Sequence, residues 1–243
     1  PRPFFTSDVS AAKISAGFPA SLERNITDRT KAEAVFFTGV IGGAASSYSV
    51  TGNTAKAEAQ FSRRLADAAF TVSNEKRLEP TLDYISREFY IKVDNHISSE
   101  ADMLHIIPPV LVDIGTEEKC TAIKTEMNYF EIGAFCMLFL PGVIYPELVY
   151  GGERLENMPI QGRAPCENPP ALLDLADDGD IIVFGPADAI GYIAAPDIFT
   201  VFRRSRGKLR GEFNSPGPNT AYTVADNFAQ MYNIVRKMKG AIK

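Results

Sequence analysis

Residues 34–47 read AVFFTGVIGGAASS, and the fold class turns on them. Ala34 to Val40 is a continuous apolar run closed by glycines, the pattern of a strand buried on both faces. Gly42 and Gly43 follow, then Ala44, Ala45, Ser46 and Ser47. Residues this small let a backbone turn tightly and let another group come close. Thr54 is a helix N-cap candidate. After it Ala57, Phe61, Leu65, Ala68 and Val72 fall at helical spacing, with Lys56, Arg63, Arg64 and Asp67 off that line. This predicts an amphipathic helix lying on a sheet. A strand, a glycine loop and a helix in that order are an α/β signature.

Working outward, Ile85, Phe89, Ile91 and Val93 share one face of a predicted strand, and Ser86, Glu88, Lys92 and Asp94 share the other. Val110 to Ile114 reads as a short strand. Thr121 to Phe130 and Ile132 to Leu140 read as two paired strands, with the turn in the Asn128 to Gly133 region. The second of these is nearly all apolar, so it belongs inside; it stops at Pro141-Gly142. Residues 151 to 178 are punctuated by Gly and Pro and read as loop, with one helical turn over Leu172 to Leu175. Asp180 to Phe184 is another buried strand, ending at Gly185-Pro186. The basic stretch Phe202 to Arg210 reads as a solvated loop rather than an anion site. Ala221, Val224, Phe228, Met231, Val235 and Met238 step by three and four, the clearest helix of the chain.

Composition bounds the function. The chain has 243 residues, 45% hydrophobic and 23% charged, which suits a globular domain with a core of its own. A net charge of −5 argues against a nucleic-acid binder. No run approaches the ~20 apolar residues of a membrane span, and no signal peptide is visible at Pro1-Arg2-Pro3. Pro1 reads as an extended start rather than a catalytic amine. Cys120, Cys136 and Cys166 are too few and too scattered for a disulfide scaffold; one pair can oxidise and one thiol stays over. The chain has two histidines, His96 and His105, and their spacing fits neither a helical pair nor a compact finger. Gly39-Val40-Ile41-Gly42-Gly43 follows a strand but lacks the spacing of a dinucleotide or phosphate loop.

Ser46 and Ser47 lie beyond a glycine turn at a strand end, where backbone N–H groups can receive an oxyanion. Glu147 follows Pro141-Gly142, and Asp188 follows Gly185-Pro186. Three glycine-marked strand ends thus carry polar groups that one sheet could bring together.

The order of segments resembles the neutral/alkaline non-lysosomal ceramidase family, in particular its short bacterial members. The segments are AVFFTGVIGGAASS, a helix, FEIGAFCMLFLPGVIYPEL, DAIGYIAAPDIF, and GEFNSPGPNTA before a final helix. The resemblance runs over most of the chain and corresponds to the second half of the family's catalytic domain. It implies an α/β fold, a mixed β-sheet with flanking helices, as one ceramidase-like domain over residues 1–243 that is part of a larger catalytic domain. It implies a hydrolase of an amide or related acyl bond, a lipid-like or other small-molecule substrate, and a zinc ion polarising water. It also favours a location outside the cytoplasm. An upstream chain segment or a homo-oligomer would complete the sheet.

The motif positions depart from the family. Its Gly-Asp-x-Ser-Pro lies over Gly42 to Ser46, so Gly43 stands for the Asp and Ala45 for the Ser. Its Pro-Gly-Glu lies over Pro141-Gly142-Val143, so Val143 replaces a metal-binding Glu. Its ligand Tyr falls near Ala189, with Tyr192 as the second Tyr. A one-residue shift offers Ser46 as the hydroxyl and Asp188 as the metal ligand. Glu147 stands about a turn away beside Gly42 and Gly43 as a substrate contact, and Tyr192 is a hydrogen-bond donor to an oxyanion or substrate. The rival reading is a relative that catalyses nothing and binds a ligand or partner.

Overall fold

The computed structural model describes residues 17–42, 54–72, 77–95, 111–113, 121–152, 158–159, 167–176, 180–185, 190–199, 201–202 and 214–241. These fall into two compact units. One draws on residues 1–37 and 45–77, the other on 38–44 and 78–243.

The first unit is a helical pair, α1 (Gly17–Thr30) and α2 (Thr54–Ala69). Phe18 holds it together, its ring edge-on to Phe61 at 5.0 Å and to Phe36 at 5.6 Å. Ser62 is fully buried and its hydroxyl donates to the Phe18 and Glu58 carbonyls. The helix after Thr54 is therefore present, but within this unit it packs on α1 and not on a sheet. Its buried line runs through Ser62 and Ala66, with Phe61 and Leu65 half-buried, while Val72 is 67% exposed. The apolar run at 34–40 also differs from expectation. It belongs to no strand, and Val35 is 72% and Phe37 51% exposed. An apolar run becomes a buried strand only where a ladder partner takes its backbone groups. Here the Phe36 amide donates instead to the Glu23 carboxylate at 2.8 Å.

The second unit is a mixed sheet with helices, as the α/β reading requires. Its five strands are β1 (Leu82–Lys92), β2 (Leu111–Asp113), β3 (Thr121–Ile132), β4 (Phe135–Phe139) and β7 (Ile181–Phe184). The order is β1-β3-β4-β7, with β2 also on β3. β1, β2 and β4 run antiparallel to β3, and β7 runs parallel to β4. The β3–β4 turn is Gly133-Ala134, at the far end of the expected turn region, and Gly133 has φ +56°. A β-carbon there would lie 2.9 Å from the Glu79 amide nitrogen, so glycine is needed for space as well as for backbone angle.

Side chains alternate across this sheet. Phe89, Ile91, Met127, Tyr129, Cys136, Leu138, Ile181 and Val183 face inward and are buried. The last helix, α4 (Thr220–Ala241), covers them with Ala221, Val224, Phe228, Met231 and Val235, the residues its spacing singled out; Met238 is exposed. Arg87 on β1 ties the layers by donating to Asn227 at 2.8 Å and to Gln230. A 3₁₀ turn at Leu172–Leu175 fills in beside the short helix α3 (Pro146–Tyr150). Small pairs complete the unit: β5 (Val143–Ile144) parallel to β8 (Tyr192–Ile193), and β6 (Met158–Pro159) antiparallel to β9 (Val201–Phe202). Cys136 is a buried free thiol.

Candidate functional site

Two of the three glycine-marked ends, those of β4 and β7, are strand ends and meet; the third closes a stretch that is not a strand. β4 runs on through Pro141-Gly142 into β5, leaving β7 and picking up β8 as its parallel neighbour. Leu140 N–H donates to Phe184 O at 2.8 Å, Val143 N–H to Gly191 O at 2.9 Å, and Tyr145 N–H to Ile193 O at 3.2 Å. Ile190 N–H closes the loop onto Pro141 O at 3.2 Å. On the other side of β5, Gly42 N–H donates to Ile144 O at 2.8 Å. The end of the AVFFTGVIGG stretch is thus pinned to the same short strand.

No side chain fits between these segments. A β-carbon on Gly42 would lie 2.3 Å from Ile144 O, and one on Gly142 would lie 2.6 Å from Gly191 O. On Gly185 it would lie 2.8 Å from Gly142 O. On Gly191, where φ is +77°, it would lie 1.9 Å from Asn214 O. Real β-carbons do not come this close to a backbone, so glycine at these positions is a packing requirement.

The junction presents few side chains of its own. Val143 is buried, and its position lies inside the β5–β8 ladder. Tyr192, its register partner, is half-buried, with its ring edge-on to the buried Tyr145 at 6.1 Å. Glu147 occupies the first turn of α3, two residues after Tyr145, and its Oε1 is buried. Of the residues singled out from the sequence, Gly42, Tyr192 and Glu147 are therefore carried by segments that adjoin the junction. Gly43, Ser46 and Asp188 lie outside the described residues, as do Ala45, Ala189, His96, His105, Cys120 and Cys166.

The sequence reading missed a polar cluster next to this junction. Asn95, Ser215 and Thr220 are buried, and Asp94 is half-buried. The Asp94 and Asn95 amides both donate to Pro216 O, at 3.0 and 2.9 Å. Asn95 Nδ2 donates to Ser215 O at 2.7 Å, and Asn219 Nδ2 donates to Asp94 Oδ2. Gly217 passes so near Asp94 that a β-carbon there would overlap Oδ1 at 1.6 Å. These contacts seat the N-terminus of α4 on the end of β1, and Asn214 carries the seat to Gly191. The available signal was NSPGPNT itself, a polar and Pro/Gly segment directly before the best helix in the chain.

The described residues do not fit a zinc site. Val143 has no donor atom at the position where the resemblance puts a ligand Glu. Among the described residues no group of three His, Cys, Asp or Glu is placed to hold a metal ion. Nor is any described helix long and apolar enough to cross a membrane.

The structure of neutral ceramidase from Pseudomonas aeruginosa superposes on this chain with a TM-score of 0.55 over 94% of its residues, at 12% identity. The fold is that of a ceramidase-like α/β domain. The chain spans 42% of that neighbour's length. No protein-family model matches the sequence, and no curated protein matches it.

Proposed function

We propose that this protein is a member of the neutral ceramidase family that hydrolyses an amide or related acyl bond, and that the glycine junction is the scaffold of its active site. The observation that carries the reading is the convergence of Gly42, Gly142 and Gly191, from three separate segments that resemble the family, with Gly185 beside them. A parallel strand pair with loops at its carboxyl ends is where α/β sheets place their ligands. Ser46 follows Gly42 by four residues, and Asp188 lies between Gly185 and Ile190.

In this reading Ser46 supplies the hydroxyl that works at the acyl carbon. The Tyr192 phenol donates a hydrogen bond to the oxygen that gains charge. Gly42, Gly43 and Glu147 line the substrate. Zinc enters only through residues outside the described set, with Asp188 as a ligand, and no step here depends on it. The substrate is a small or lipid-like amide.

Fatty-acid release from ceramide and from N-acyl amino acids tests the proposal. The chain is expected to release fatty acid. Tyr192→Phe, which removes only the hydroxyl, is expected to lower kcat about 100-fold. Ser46→Ala is expected to abolish release.

One observation favours a second reading. Val143, buried in the ladder, stands where the resemblance has a metal-binding carboxylate. Ceramide binding without release by the wild-type chain would make the protein a binding relative and remove the hydrolase assignment.

A further inference from the structure

The last two turns of α4 differ from the rest of its exposed side. Upstream that side carries Asp226, Gln230 and Asn233, all polar and exposed. Downstream it carries Ile234, 46% exposed, and Met238, 48% exposed, with the exposed Lys237 between them. Spacings of three and four residues from Ile234 make these side chains neighbours on the helix surface. Arg236, the residue before Lys237, is exposed as well.

Charge is segregated along the same helix. From Asn227 to Ala241 there are three basic side chains, Arg236, Lys237 and Lys239, and no acidic one. The whole chain carries −5, so the remainder carries −8. Glu131 and its register partner Asp83 belong to the sheet beneath the helix, and Lys239 meets Glu131 there at 3.0 Å. The helix dipole accounts for cations in a last turn. It does not account for two exposed apolar side chains among them.

We infer that this end of α4 is a peripheral docking surface for a bilayer that contains anionic lipid. Apolar side chains with cations beside them are the composition of a helix that lies in a headgroup layer. Ile234 and Met238 enter the acyl boundary, while the long stems of Lys237 and Arg236 keep their charges among the headgroups. Charge decides for this occupant. A chain of net −5 is repelled as a whole by an anionic surface, so attraction has to come from a local patch, and this one has the right sign. A neutral bilayer would use the apolar pair alone. A nucleic acid would use the cations alone. Each basic side chain near an anionic surface raises binding roughly five-fold. Two exposed cations and two apolar side chains therefore make a weak, salt-sensitive contact. The inference does not rest on the proposed hydrolysis, and its test reads no activity.

Co-sedimentation of the purified chain with vesicles tests it, with equal parts of phosphatidylglycerol and phosphatidylcholine set against phosphatidylcholine alone. The chain is expected to bind the anionic vesicles, to ignore the neutral ones, and to come off the former at about 0.5 M salt. Lys237→Glu removes one charge and adds the opposite one, so it is expected to weaken binding about 25-fold. Ile234→Gln keeps the charge and removes the apolar group, and is expected to weaken binding several-fold. Lys92→Glu is the control: the same charge change at an exposed position, at the end of β1 where α4 begins. It is expected to leave binding unchanged. Circular dichroism confirms that each variant is folded. Should a variant fail to fold, hydrogen exchange of the wild-type chain replaces it, with anionic vesicles expected to protect the last two turns of α4. A wild-type chain that stays in solution with anionic vesicles overturns the inference. So does binding that Lys92→Glu weakens as much as Lys237→Glu, or that Ile234→Gln leaves untouched. Binding of a DNA duplex in place of the vesicles would make the patch a nucleic-acid contact and overturn it as well.

Discussion

The inner face of the sheet and the glycine junction at its end are both buried, yet they are built from opposite materials. The inner face is a side-chain construction. Phe89, Ile91, Met127, Leu138 and Val183 fill the space under α4. The junction is mainly a backbone construction: the nearest neighbour of Gly42, Gly142, Gly185 and Gly191 is in each case a backbone carbonyl oxygen. A side-chain core can relax around a change, because rotamers and neighbours share it. A backbone junction has less such freedom, since a carbonyl cannot change rotamer to make way and several of these also accept ladder hydrogen bonds. The difference teaches where this chain has spent its rigidity: at the strand ends, where a site would need it.

The largest expected effect comes from adding one methyl to the junction. Gly191→Ala meets Asn214 O and also forces a β-carbon onto a left-handed backbone, itself worth ~1–2 kcal/mol. It is expected to cost more stability than any single truncation in the inner face, measured by urea denaturation, and to loosen the seat of α4. Leu138→Ala, at a fully buried position, is expected to cost about 2–5 kcal/mol by the same measurement. If the alanine at 191 proves the cheaper of the two, the contrast between the regions fails.

The smallest effect sharpens the side-chain half of the comparison. Tyr129 is buried in the inner face, and burial raises its phenol above the ordinary 10.0, with Cys136 and then Glu131 adding to the shift. Its hydroxyl donates to Glu131 Oε2 at 3.1 Å, and Lys239 meets the same oxygen at 3.0 Å. A raised acid is held neutral in the fold while the unfolded chain ionises near pH 10. Its contribution is therefore complete below that pH and is lost as pH rises through it. Denaturation of wild type and Tyr129→Phe between pH 8 and roughly 11 is expected to show a steeper alkaline loss in the wild type, with the two curves converging as pH rises. Parallel curves would show that the phenol is solvated.

Much of this architecture was legible before any coordinate. The pairing of β3 with β4 could be read because an apolar run has one place to go. The course of α4 could be read because Ala221, Val224, Phe228, Met231 and Val235 repeat at helical spacing. α1 escaped notice because GFPASLERNITDRT buries no residue completely and so leaves only a faint pattern. The stretch at 34–40 was read as a buried strand because its composition is that of one; hydropathy does not say whether a partner strand is at hand. The polar seat of α4 escaped because its partners are far apart in the chain. Asp94 and Asn219 are 125 residues apart, and Asn95 and Ser215 are 120.

By itself, then, the order of residues determined the α/β class, the glycine-marked ends of β4 and β7, and the last helix. These follow from periodicity and local backbone preference, which act over a few neighbours. Tertiary structure decided that Gly142 lies against Gly185 and Gly191 and Gly42 against Ile144, that α2 packs on α1, and which face of the sheet α4 covers. Contacts of that kind depend on where distant segments come to lie, and no local pattern encodes a distance.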